Sequence, residues 1–394
     1  MKFLKKFNTE DEYKDYMRTP HLPNVSVVVG ENNSVLFNAA LKPLYIEAVE
    51  DLTVAFSTNA IEYSLDNASW SVLEAGTPTP TVLSGSKVYF RASDITPPPY
   101  TGTGLPSGIG IFTISGKCNV GGSVMSMIYG GNYKDQYEIP NEFQFHSLFQ
   151  NCPIEDAAKL SLPAQTLTRM CYAYMFLNCI SLTTAPELPA TKVSDYCYRS
   201  MFEGCTSLAT APELPATQLS TCSYNHMFKG CTSLIAAPEL PAKYAPNECY
   251  GYMFADCTSL VDAPSILATG MGSGCCNNMF LNCISLTTAP ELPATKVSDY
   301  CYSSMFEGCT SLATAPVLPA TTLVRYCYEN MFSGCTALSY IKMMATSISA
   351  ANCLYGWVSG VSSTGTFVKN SAASWNKNGA SGIPYGWTVE EVAV

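Results

Sequence analysis

A Met-Phe pair recurs every 26 residues along the second half of the chain, and no other feature limits the possible folds so sharply. The pairs are Met175-Phe176, Met201-Phe202, Met227-Phe228, Met253-Phe254, Met279-Phe280, Met305-Phe306 and Met331-Phe332, and Trp357-Val358 closes the series at the same spacing. Leu148-Phe149 reads as a degenerate earlier copy with one extra residue before Met175. Self-similarity at a fixed period marks a repeat architecture and takes precedence over any local reading.

Two regimes alternate within each unit. The Cys-Tyr-x-x-Met-Phe-x-x-Cys part places apolar residues four apart and suits a short helical turn, whereas Leu-x-x-Ala-Pro-x-Leu suits an extended stretch. The proline recurs at Pro186, Pro212, Pro238, Pro264, Pro290 and Pro316. It cannot donate to a strand ladder, so pairing is expected only in the roughly two to four residues before it. A single unit cannot cover its own Leu, Met, Phe and Cys, whereas stacked units bury them against the next coil about 4.8 Å away. The expected fold is a repeat protein: a solenoid of 26-residue coils with a narrow parallel sheet and short helical turns. Met175 to Tyr198 is identical to Met279 to Tyr302, four periods later. Such duplication is easiest where each coil touches only its neighbours.

The rest of the chain has other patterns. Residues 1–40 form a separate piece, in which Asn8 to Tyr13 opens like a capped short helix and Val25–Val29 and Ser34–Phe37 flank Gly30 as a hairpin. Residues 41–116 carry alternating runs at Leu52–Phe56, Ile61–Leu65, Ser86–Arg91 and Gly110–Ile114, broken by Asp66, Gly76 and Pro97, and read as a small antiparallel β-domain. The solenoid is expected over 117–355, with Lys117 to Gln150 capping its first coil, and 356–394 as a C-terminal cap.

A formal charge of -10 repels phosphate backbones, which excludes nucleic-acid partners. No apolar run is long enough to span a bilayer, so no membrane insertion is expected. Met1 to Glu12 begins basic but lacks an apolar core and a small-residue cleavage site; folding in the cytoplasm is the expectation.

Three columns of side chains repeat with the period. Cysteines recur four residues before the Met position, from Cys171 to Cys353, and four after it, from Cys152 to Cys335. Within a coil the two are about 12 Å apart on a helix, too far for a disulfide. Small buried thiols are expected, with disulfides between coils or a metal as the alternatives. Glu187, Glu213, Glu239 and Glu291 form a like-charge ladder, either a solvated face or a calcium bridge. Tyr172, Tyr198, Tyr250, Tyr302 and Tyr328 are the candidate binding residues: exposed, they would stack on sugars or a protein, and otherwise they pack between coils. The Met and Phe residues of the seven pairs are the expected structural core.

No G-x-S-x-G, H-E-x-x-H or Walker sequence occurs, and Gly102 to Gly108 has the wrong spacing for a phosphate loop. Only three histidines exist. No catalytic residue, metal or cofactor is expected. A carbohydrate-active site would have to draw on Glu47, Glu50, Asp51, Glu62, Asp66, Glu74 and Asp94 of the β-domain.

The unit Met201 to Thr217 resembles the BspA-type leucine-rich repeat proteins common in gut Bacteroidales and their phages, a likeness that extends over about Lys117 to Thr388. Ile61 to Trp70 looks like the module that precedes the repeats in that family. The opening Met1 to Tyr13, with Leu22 to Val27, is similar to the start of virion proteins from crAss-like and related Bacteroidales phages. These resemblances imply a leucine-rich-repeat solenoid in a non-enzymatic virion structural protein, a head or tail fibre or decoration. Its first residues would dock on other virion proteins, and its repeats would meet a host cell-surface protein or glycan. Fibres of this kind are expected to be homo-oligomers. A bacterial cell-surface adhesin of the same repeat class is the alternative.

Overall fold

Alternating apolar and polar residues make half-buried strands, and the N-terminal part of the chain forms strands where that alternation falls. The computed structural model describes residues 41–57, 61–93 and 110–393, with the backbone alone of 26–29 and 35–38. β1 (Ser26–Val29) and β2 (Val35–Asn38) pair antiparallel with Val29 opposite Val35, the hairpin anticipated there. The helix expected at Asn8 lies outside the described residues. β3 (Leu44–Ala48), β4 (Val54–Phe56), β5 (Ile61–Ser64), β6 (Ser71–Leu73), β7 (Lys87–Ala92), β8 (Phe112–Ile114) and β9 (Cys118–Ser123) follow, then the one-turn helix α1 (Ser126–Tyr129) and β10 (Ile154–Ser161).

Six strands form one sheet in the order β10-β9-β3-β7-β5-β6, and β4 pairs with β8. β3 is antiparallel to β7 and β9, whereas β9 and β10 run parallel. Asp156 of β10 then bridges Thr184 in parallel. The sheet therefore continues past residue 116, and its last parallel pair is the template on which the first repeats lie.

Beyond β10 the described residues contain no α-helix, which corrects the expectation of helical turns. The Met-Phe segments are chains of tight turns. In one repeat Ala173, Met175, Leu177 and Cys179 donate their N–H groups to the carbonyl three residues back. The alternate residues Tyr172, Tyr174, Phe176 and Asn178 donate instead to Cys197, Arg199, Met201 and Glu203 of the next repeat. The cause is local. Every fourth residue, here Met170, Tyr174 and Asn178, has a positive φ of 55°, 60° and 57°. A left-handed residue turns the next peptide away from the helical direction, so alternate amides face along the stack. That conformation costs about 1–2 kcal/mol at a non-glycine residue, and the inter-repeat hydrogen bonds offset it.

The extended part pairs by single parallel bridges, as in the ladder Thr210, Ala236, Asp262, Thr288. Each of these lies two residues before a proline. Pairing resumes after the proline, between Leu240 and Ile266 and between Leu318 and Met343, so it is wider than proline alone suggested: the ring removes only its own donor. Two-residue strands β11 (Tyr244–Ala245) and β12 (Gly270–Met271) pair in parallel, as do β13 (Tyr340–Met343), β14 (Thr366–Asn370) and β15 (Thr388–Val392) at the end.

Every Met and Phe of the seven pairs is fully buried. From Phe149 to Phe332 the rings stack one on the next at 5.5 to 5.7 Å. Trp357 ends that column, tilted by 56° against Phe332. Each such burial contributes about 1.5–3 kcal/mol.

Candidate binding surface

The tyrosine column lies inside the stack: Tyr172, Tyr198, Tyr250, Tyr302 and Tyr328 are each 1% exposed. Tyr172 stacks on Tyr198 at 5.9 Å and Tyr302 on Tyr328 at 6.0 Å. These rings cannot meet a partner, so the column is core and not a contact strip. The turn chain explains the correction, because it sends the Cys-Tyr and Met-Phe pairs inward together, where a helix would spread neighbours by about 100°. Tyr224 belongs to the same column, between Tyr198 and Tyr250. A search for Cys-Tyr overlooks it because Ser223 precedes it. At the equivalent position Cys276 replaces the ring. The hydroxyls of Tyr172 and Tyr302 are buried without a hydrogen-bond partner, and each opens a run of stacked tyrosines.

All 18 cysteines are free and buried. The second column has a definite task. Cys179, Cys205, Cys231, Cys257, Cys283, Cys309 and Cys335 each donate a thiol hydrogen to the carbonyl of the phenylalanine 29 or 30 residues earlier, at 3.0 to 3.2 Å. Burial pushes the thiols up, to about 12 at Cys205 and Cys335, which suppresses the thiolate that metal binding or nucleophilic attack requires.

Among the described residues no group of three or more His, Cys, Asp or Glu is placed to hold a metal ion, and the four ladder glutamates are exposed. The carboxylates of the N-terminal sheet hold structure together. Glu47 pairs with Lys87 and Glu62 with Arg91, while Asp51 accepts the Ser84 N–H and Glu50 that of Lys117. Asp66 accepts from the Ser69 and Ala68 amides and the Ser64 hydroxyl, which hold its carboxyl well below the usual range. Glu74 is exposed; Asp94 and Gly102 to Gly108 lie outside the described residues.

Two kinds of outward position remain. On the extended part Thr184, Thr210, Ala236, Asp262 and Thr288 face out, and Ile235 and Val261 beside them are 58% and 38% exposed. At the left-handed corners stand the half-exposed rings of Tyr174, Tyr196, Tyr252, Tyr300 and Tyr326. Tyr300 stacks on Tyr326 at 4.7 Å, and His226 on Tyr252 at 4.6 Å. Arg169, Arg199 and Arg325 lie against these corner rings. The sequence does carry a signal for them: in Asp195-Tyr196-Cys197-Tyr198 one tyrosine on each side of the cysteine marks one outward and one inward ring.

Stacked near-identical units with a closed apolar interior and a varied outer face define a repeat protein whose chemistry lies at its surface. The model of the BspA type leucine rich repeat region matches residues 145–269 and 250–356, in six copies. Together these span 212 of the 394 residues, and the chain belongs to the BspA-type leucine-rich repeat family. No curated protein and no solved structure matches the chain. Leucine-rich repeats are typically non-enzymatic protein-binding scaffolds, and the BspA-like type suggests a surface or adhesion protein. No helix of the described residues is long and apolar enough to cross a membrane.

Proposed function

We propose that this protein is a non-enzymatic scaffold that binds its partner through the outer face of a solenoid of 26-residue coils. One observation carries the reading: outward positions vary between repeats while the inward Met-Phe pair stays constant. The exposed position that opens the extended part runs Thr183, Ala209, Ile235, Val261, Thr287, while the inward Met-Phe pair does not change from Met175 to Phe332. A variable surface over a constant interior suits recognition, since each coil needs only its neighbours for stability.

The setting we favour is a phage particle. There the protein would be a homo-oligomeric head or tail fibre or decoration, held to other virion proteins by residues 1–40, spaced by 41–116 and displaying its repeats to a host-surface protein or glycan. The resemblance of Met1 to Tyr13 to virion proteins supports this. A bacterial cell-surface adhesin is the second reading, supported by the family match. Immunogold electron microscopy of purified particles and of bacterial cells separates the two. Label on particles, lost when residues 1–40 are deleted from a chain that still folds, supports the virion setting. Label on the cell envelope alone supports the adhesin, and label on neither overturns both.

A further inference from the structure

We propose that the corner formed by Arg169, Tyr196 and Arg199 binds the carboxylates of an acidic polysaccharide, an assignment that rests on the scaffold reading above. Tyr196 stands at a left-handed corner with φ 58° and presents a half-exposed ring. Two guanidinium groups converge on it. Arg169 of the preceding repeat and Arg199 of the same repeat lie 5.9 and 5.7 Å from the ring centroid. In a chain of net charge -10 that convergence of positive charge is local and specific.

The two arginines are incompletely used within the protein. Arg169 faces Glu142 at 3.6 Å with its side chain 39% exposed. Arg199 has no ion pair among the described residues, and its Nε is buried without an acceptor. The planar guanidinium matches a carboxylate bidentately, and the tyrosine beside it offers an apolar face and a polar tip to a sugar ring.

A second tyrosine–arginine contact lies along the same edge, and this favours a polymer. Tyr300 occupies the register of Tyr196 four repeats on, with Arg325 of the next repeat 5.3 Å from its ring centroid and 3.5 Å from Asp299, and Tyr326 stacked at 4.7 Å; Ser273 and Ser303 stand where the first corner has Arg169 and Arg199. At about 4.8 Å per repeat the two corners are roughly 20 Å apart along one edge. A ligand that repeats its own carboxylates along a chain can engage both, which a folded protein surface has no reason to do.

The test is calorimetric titration of the full chain with short and long fragments of polygalacturonate, with neutral galactan and poly-glutamate alongside. Long fragments are expected to bind about a hundredfold or more tighter than short ones, because the second corner engages within one complex. Arg199→Gln and Arg325→Gln, each with an unchanged melting temperature, should each reduce long-fragment affinity to the short-fragment level. Galactan should not bind. No binding of polygalacturonate, undiminished binding by both variants, or equal affinity for poly-glutamate would overturn the assignment. If wild-type chain ignores polygalacturonate yet still labels cells or particles, the polysaccharide site is lost and the scaffold reading stands.

Discussion

Each repeat is made of two unequal halves. The turn half, between the two cysteines, gives every second amide to the neighbouring repeat and buries Met, Phe, Cys and Tyr in continuous columns. The extended half is interrupted by proline, touches its neighbour mostly by single bridges, and carries much of the exposed variation. Cohesion and display are thus separated within 26 residues. A coil can change what it shows without loosening the stack, provided the change falls outside the turn half or at an exposed side chain on its first two left-handed corners.

The largest effect expected from this division is at Phe228, which is fully buried and stacked between Phe202 and Phe254 at 5.6 Å on either side. Phe228→Ala should cost about 3–5 kcal/mol in urea denaturation. A loss below about 1 kcal/mol would mean that the aromatic column does not hold the repeats together.

Glycine at the third corner is the next weak point. Gly204 has φ +75°, and a Cβ there would lie 2.3 Å from Asn178 Oδ1; Gly230, with φ +72°, would meet only Gly204 backbone at 3.8 Å. Both alanine variants should lose about 1–2 kcal/mol for the left-handed conformation. Gly204→Ala should lose more, and adding Asn178→Ala should recover the excess. Equal losses in the two single variants would show that side chains do not couple neighbouring corners.

Both histidines of the described residues, His146 and His226, sit in turn halves, and burial lowers each to about 4. The folded state therefore prefers the neutral ring, while the unfolded state takes up protons as pH falls through about 6.5. Their contribution is complete above pH 6.5, is lost as pH falls towards 4, and is constant below that. Allowing for screening at the partly exposed His226 ring, about 1 kcal/mol is at stake there, and more at His146, which is buried. Thermal melts from pH 7 to 4 should show the decline, and His226→Gln should reduce its slope.

Smaller still, Tyr302→Phe removes a buried hydroxyl without a partner and should stabilise by about 1 kcal/mol. On the extended half Val261→Thr should stay within about 0.5 kcal/mol, because that side chain faces solvent. Should Val261→Thr cost as much as a core truncation, the proposed separation of cohesion from display would fail.

Much of the fold is legible in spacing alone. The runs at Ile61–Leu65 and Ser86–Arg91 alternate and form β5 and β7, and the Met-Phe period places those side chains where every coil covers the last. The turn chain is not legible in the same way. Cys-Tyr-x-x-Met-Phe-x-x-Cys fits a helix on apolar spacing, and the hydrogen bonds that decide against it run to carbonyls 25 residues away. Tyr196 and Tyr198 illustrate the limit: both flank Cys197, yet one is a half-exposed corner and the other is core.

What the residues determined unaided is the register, because a strict period obliges like side chains to meet like and leaves no other way to shelter them from water. What the packed molecule decided is the sign of φ at every fourth residue. That choice costs energy in an isolated coil and is favourable only when a neighbour accepts the redirected amides. It selects which tyrosine reaches solvent, and with it the surface available for binding.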